Sequence, residues 1–324
     1  MIDAGSFVQK SHETVGEFMY RWLDGYVLTN TRRRTLQGYR HYVRRHIVPA
    51  LGAVPLQRLR AGQLQALYSS MLAKGLSAST VGQCHRILSE ALSHGVMWGD
   101  MVRNPAKATS PPKAQKTEVT PWDAPTFLKF LETAKDSIFR DVYHLAVHTA
   151  LRRSELCGLR WEAIDLETAE LRVVKTLQRL DGLGLVEERP KRDRSRRTIA
   201  LSSGAVDILK RVKIKQLERK LALGDAWQGD GHVFTGLNGG PISGERLSRD
   251  FAKIRRASGL PYLTLHGLRH TAVSLLIAGG RLRQRPSSPT LGPSRGAPPF
   301  RRRSGLWTEG AVRRLGGRRP QIAP

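Results

Sequence analysis

The 324-residue chain has little cysteine, little acid and no long apolar run. Its two cysteines, Cys84 and Cys157, build neither a disulfide framework nor a thiolate metal quartet. No stretch approaches the run of about 18 apolar residues that a membrane-spanning helix needs. The N-terminus lacks the charged-then-apolar pattern of a secretion signal. These absences predict a protein of the reducing cytoplasm, with no membrane partner, no metal and no cofactor. Acids number 27 against 54 lysines and arginines, a net charge of +27. Such a surplus predicts salt-dependent, sequence-independent attraction to a polyanion. Tyrosine is scarce at the end: none follows Tyr262.

What is present is helical text. After a short polar start (1–13), Val15, Phe18, Met19, Trp22 and Leu23 recur at helical spacing. Over 33–48, Leu36, Tyr39, Val43 and Ile47 form one apolar face, with arginines and Tyr42 around it. Pro49, Gly52 and Pro55 punctuate a turn. Helices are predicted over 63–72 and 79–98, the latter led by the cap-rich run Ser77-Ala78-Ser79-Thr80. Residues 14–104 thus read as a compact helical bundle, and the Pro-containing stretch 105–118 as a linker. Thr120-Pro121-Trp122-Asp123 has the composition of a helix start. A second, mostly helical unit (119–280) follows, interrupted by a strand pair predicted over 170–178 and 198–201. Residues 281–324 are rich in Arg, Pro and Gly, with a single acid, Glu309. Prolines 286, 289, 293, 298 and 299 forbid a continuous helix there, and disorder is expected.

Two boxes carry chemistry. Ala150-Leu151-Arg152-Arg153-Ser154-Glu155-Leu156 is followed by Gly158-Leu159-Arg160-Trp161-Glu162-Ala163-Ile164-Asp165-Leu166, the strand pair, and then Leu265-His266-Gly267-Leu268-Arg269-His270-Thr271. In that order they resemble the phage-integrase type of tyrosine recombinases over residues 14–280. The resemblance implies a mainly α fold: an N-terminal core-site-binding bundle and a mostly helical catalytic domain with a small β-sheet. It also implies double-stranded DNA as partner, with self-association on that DNA.

Phosphodiester cleavage concentrates negative charge on two non-bridging oxygens, and arginine's planar fork suits the task of answering it. The resemblance assigns Arg152 and Arg269 to that clamp. His266 donates to the same phosphate or moves a proton. Glu155 and His270 support them, Glu155 by pinning the Arg152 guanidinium from the same helical face. In Pro190-Lys191-Arg192-Asp193-Arg194-Ser195-Arg196-Arg197-Thr198-Ile199, Lys191 matches the lysine that protonates the departing 5′ hydroxyl; Lys175 is a weaker candidate. Arg32, Arg33, Arg34, Arg40, Arg44 and Arg45 are expected to neutralise backbone phosphates, contacts that position without reading sequence. About a dozen residues precede Thr14, too few for the arm-site domain that many integrases carry.

The pattern breaks after the second box. The family continues with a helix, a Leu-Gly-His phrase and then the tyrosine. Here Thr290-Leu291-Gly292-Pro293 stands instead, and no nucleophile is present. A frameshift in GC-rich DNA explains both the Arg/Pro/Gly text and the surviving Leu-Gly. The expected function is therefore that of a site-specific recombinase whose strand-cleaving end is lost. A non-catalytic core-site DNA binder is the alternative, and a basic RNA-binding or structural protein a third class, opposed by the ordered boxes and the lack of an aromatic-rich platform. Losing the last helices should expose Leu268, Val273, Leu276 and Ile277, with aggregation as the consequence. Reading the gene beyond the Gly280 codon tests the frameshift: Leu-Gly-His and tyrosine codons are expected in another frame, and their absence from every frame discards it.

Overall fold

The computed structural model describes residues 9–115, 120–188 and 196–278, so the expectations for 1–8, for Lys191 and for the tail 281–324 lie outside the described residues. The chain divides into two compact units, residues 1–118 with Leu180–Gly182 forming the first and residues 119–179 with 183–324 the second. Each has its own apolar core.

The first unit is built of helical rods. Helix α1 (Val15–Trp22) starts on a reciprocal cap: the Thr14 hydroxyl accepts from the Glu17 N–H at 3.3 Å, and the Glu17 carboxylate accepts from the Thr14 N–H at 2.8 Å. The rod continues through a π-helical turn, Leu23–Val27, into α2 (Leu28–Asn30). In the same way α3 (Arg33–Tyr42) runs through Val43–Ile47 into α4 (Val48–Leu51). Helices α5 (Ala61–Ala73) and α6 (Ala78–Met97) complete the bundle, and Ser77 caps α6 by accepting from the Thr80 N–H at 3.2 Å. Val15, Phe18, Met19, Trp22 and Leu23 are all buried, as are Leu36, Val43 and Ile47, with Tyr39 packed at the edge. Full burial of each such apolar side chain contributes about 1.5–3 kcal/mol. The chain before α1 is tied down as well: the Leu56 N–H donates to Glu13 O at 2.8 Å, and Arg21 pairs with the Glu13 carboxylate at 2.7 Å.

The second unit opens with α7 (Ala124–Thr133). Its cap is Asp123, not Thr120, because the Asp123 carboxylate is the acceptor that reaches the Thr126 N–H, at 2.9 Å. Helices α8 (Arg140–Thr149) and α9 (Arg153–Cys157) precede a small sheet. Strands β1 (Ile164–Asp165), β2 (Glu170–Val173) and β5 (Arg197–Ala200) form it in the order β1-β2-β5, antiparallel, with Leu171 opposite Ile164 and Ile199. The predicted strand 170–178 does not run through. It breaks at Val174–Lys175, and its second part becomes β3 (Thr176–Leu180), paired with β4 (Gly184–Glu188) in a separate hairpin. The second part of the strand packs closely on the chain after α9. A Cβ at Gly158 would lie 2.7 Å from the Leu177 amide nitrogen, so the chain after α9 presses directly on the start of β3.

Helices α10 (Ser203–Leu223), α11 (Gly244–Ala257) and α12 (Gly267–Ala278) close the unit. The Trp122 N–H donates to the buried Thr271 hydroxyl at 3.1 Å, which ties α12 to the start of the unit, and the Trp122 ring stacks on Phe251 of α11. Leu268 is fully buried in this core, contrary to the expectation that it lies on an uncovered face, while Val273 and Ile277 are exposed.

Two positions make measurable predictions. Ala150 ends α8 in the left-handed region, at φ 50°, where a Cβ is strained by about 1–2 kcal/mol. Ala150→Gly should raise the urea midpoint by the equivalent of about 0.5 kcal/mol after the added freedom of the unfolded chain, and Ala150→Val should lower it; an unchanged or lowered midpoint for the glycine variant counts against the strain. His144 is half-buried beside Phe127 and His148, and neither of its buried ring nitrogens finds a hydrogen-bond partner among the described residues. Burial, aided by the charges of His148, Arg211 and Arg140, brings it from its ordinary value of 6.5 down to about 4. The unfolded chain takes up this proton first, so stability is full above the ordinary value and falls as pH drops from there toward 4. His144→Phe should flatten that decline in melts taken across the interval.

Candidate functional site

The site begins where α8 stops. The left-handed turn at Ala150 reverses the chain so that Arg152 stands in extended conformation (φ −72°, ψ 154°) as the cap of α9. Arg152 therefore does not share a helical face with Glu155, as its spacing suggested. The two meet in a capping exchange: the Arg152 N–H donates to Glu155 Oε2 at 2.9 Å, and its Nη1 to Oε1 at 2.8 Å.

Glu155 is the buried centre, 3% exposed. Arg197 on β5 donates to both its oxygens, at 3.2 and 2.9 Å. Burial by itself raises a carboxylic acid, but the bonds from Arg197 and Arg152 outweigh it and hold Glu155 below the ordinary carboxylate range. The neighbouring Arg153 donates to Ser248 Oγ on α11 at 2.9 Å.

The second box arrives from α12. Arg269 lies half-buried, and its Nη1 donates to Ala150 O at 3.0 Å, tying α12 to the turn that presents Arg152. Burial, then the charge of Arg152, holds Arg269 below its usual value. His266 is exposed just before α12, its ring 5.8 Å from that of His270. Burial of part of the ring and the charges of His270, Arg269, Arg152 and Arg153 hold it below its ordinary value. Arg152, His266 and Arg269 thus share one electrostatic environment, cationic on the solvent side and anchored below by Glu155. Such a surface can bind a tetrahedral oxyanion through fixed donors.

Lys175 is drawn elsewhere: its ammonium sits 3.2 Å from Glu187 and 3.5 Å from Glu162. Tyr262 is exposed beneath the Arg255 guanidinium, 5.0 Å from its ring centre. In the first unit Arg32, Arg33, Arg34, Arg40, Arg44 and Arg45 are all exposed, while Leu36, Val43 and Ile47 of the same α3–α4 rod are buried. Arg40 meets Asp24 at 2.7 Å. Arg197 was not singled out from the sequence, although a signal was there: with Ile199 it takes the inward positions of β5's alternation, and an arginine so placed needs an acid beneath it.

Among the described residues, no group of three or more His, Cys, Asp or Glu is placed to hold a metal ion, and no helix is long and apolar enough to cross a membrane.

Residues 118–283 match the family model of the phage integrase family, and residues 14–72 that of the phage integrase N-terminal SAM-like domain. A tyrosine recombinase XerC-like protein of Caldanaerobacter subterraneus subsp. tengcongensis is 28% identical over 285 residues, 82% of this chain and 73% of that protein. An integrase of Saccharopolyspora erythraea is 26% identical over 333 residues, covering 86% and 76%. Among solved structures, the Tn1549 transposon integrase in complex with a circular intermediate DNA superposes with a TM-score of 0.70 at 21% identity, over 83% of this chain and 88% of that one. The lambda integrase dimer bound to a core site gives 0.60 at 22% identity, over 82% and 87%. The mainly α architecture with its small antiparallel sheet is the fold of these integrases.

Glu155 is the residue to test. Glu155→Ala leaves two guanidiniums facing each other and should cost about 2 kcal/mol in urea unfolding, discounted for their partial exposure. Because the folded state depresses this carboxylate, its contribution is present above the ordinary carboxylate range and is lost as pH falls through the folded value. A variant as stable as the parent at neutral pH refutes the anchoring role.

Proposed function

Because the chain belongs to the phage integrase family, we propose that it binds double-stranded DNA in the cytoplasm, self-associates there, and grips the phosphodiester that a tyrosine recombinase breaks. Arg152 and Arg269 are the clamp, His266 donates to the same phosphate, and Glu155 and His270 hold them in place. The observation that carries this reading is the Arg269–Ala150 hydrogen bond, which brings the two boxes together across 119 positions of chain. Lys191 is proposed to protonate the departing 5′ hydroxyl. The exposed arginines of α3 and the turns around it neutralise backbone phosphates from the core-binding unit (14–104), joined by 105–118 to the catalytic unit (119–280).

As phosphorus passes through its five-coordinate state, charge grows on the non-bridging oxygens, and donors fixed in advance stabilise it without reorganising. Glu155 fixes Arg152 through the bonds described, and the Ala150 carbonyl fixes Arg269. Part burial and the charges of His270, Arg269, Arg152 and Arg153 hold His266 below its ordinary value, and its neutral form donates a hydrogen bond without adding to the repulsion between the arginines. Cleavage further needs a phenol, and these 324 residues contain no tyrosine after Tyr262. Tyr262 precedes the His box under Arg255 and is not assigned that role. This polypeptide is proposed to bind without forming the covalent phosphotyrosyl bond.

Binding to duplex DNA measured across a salt series should fall steeply with salt, and Arg33→Ala or Arg44→Ala should each reduce the log–log slope by about one. Arg152→Ala with Arg269→Ala should weaken binding further at low salt. On a nicked duplex that traps cleavage, a denaturing gel should show no protein–DNA band. Absence of duplex binding defeats the DNA reading, whereas a covalent band defeats only the statement that this polypeptide does not cleave.

A further inference from the structure

Helix α10 is apolar on two opposite faces. Ala205, Ile208, Leu209 and Val212 lie in the core of the second unit. Facing away from them, Ile214, Leu217 and Leu221 are 57, 52 and 85% exposed. Their spacing of i, i+3 and i+7 lines them up over two turns, where a surface helix normally carries polar residues. Lys210 and Asp207 end the stripe toward the N-terminus of the helix.

We propose that this stripe is a self-association surface, on which a second copy of this chain lays its own α10 in parallel. The occupant is argued from the flanks. Lys213 and Lys220 border the stripe on one side and Glu218 on the other, and Gly224, at φ 50° and ψ −124°, ends the helix beyond Leu223. In a parallel pair, a residue on the first flank meets the partner residue five positions further on. Lys213 then faces the partner's Glu218, twice by symmetry. In an antiparallel pair like flanks meet, lysine against lysine and Glu218 against the partner's Glu218. The β-branched Ile214 followed by Leu217 is the order that favours two parallel strands. Lys213 is held on its flank over the Trp161 ring, 5.8 Å from the ring centre. Two turns make a small interface, so the dimer is weak and transient in free solution.

Site-directed crosslinking tests this without DNA, and so independently of the function proposed above. Cys84 and Cys157 are buried and do not compete. Leu221→Cys is expected to form a disulfide-linked dimer under mild oxidation at least about tenfold faster than Ala222→Cys, which lies off the stripe. Glu218→Lys in the Leu221→Cys background should slow the reaction, and adding Lys213→Glu should restore it. Because Leu221 and Ala222 are both exposed, melting curves of these variants should match that of the parent. Equal rates at the two cysteine positions, or no response to the charge changes, overturn the proposal. Faster crosslinking between Ile214→Cys and Leu221→Cys chains than between two Leu221→Cys chains shows antiparallel pairing and overturns it too.

Discussion

The second unit depends on one buried carboxylate. Taking Glu155 out of water costs several kcal/mol unless its charge is answered, and two guanidiniums with one backbone N–H answer it. Those donors come from two places in the chain: Arg152, in the turn between α8 and α9, gives both its guanidinium and its own backbone N–H, and Arg197 comes from β5. Satisfying one acid therefore fixes a helix end and a strand in a single arrangement. It also makes the gathering of cations above it tolerable, since Arg269 and His266 already lose proton affinity to the charges around them.

From that anchor the site is layered. Glu155 is buried, Arg197 and Arg269 are partly covered, and Arg152 and His266 reach solvent. The order suits recognition of a phosphate, because the donors lose little freedom on binding and their repulsion is balanced from below. Helix α12 brings Arg269 by two unrelated contacts, its guanidinium on Ala150 O and its Thr271 hydroxyl under the Trp122 N–H. The strained backbone at Ala150 lies at the meeting of both boxes, where departures from relaxed geometry tend to collect around function.

The first unit is made on different terms. Its stability comes from apolar faces and caps, and the arginines of its α3–α4 rod are exposed. Helix α10 shows the opposite economy, with apolar residues on both sides and charges between them. A chain with a net charge of +27 keeps like copies apart, so a contact between copies has to place acids where they meet lysines.

Local periodicity in the sequence determined the helices: the faces of Val15 to Leu23 and of Leu36 to Ile47 are buried as their spacing required, because 3.6-residue repetition acts within a few turns. The boxes around Arg152 and His266 were legible for another reason, the fixed order of short phrases. Tertiary structure alone decided what spacing cannot carry. The strand predicted over 170–178 is interrupted at Val174–Lys175, and its second part lies against Gly158, which is distant in the chain. Arg152 met Glu155 through a cap and not a helical face, because a left-handed residue two positions earlier turned the chain. Arg197 became part of the site only when β5 paired with β2 and brought it over a buried acid. Sequence sets what each segment prefers by itself, whereas the pairing of a charge with its counter-charge depends on which segments the folded chain brings into contact.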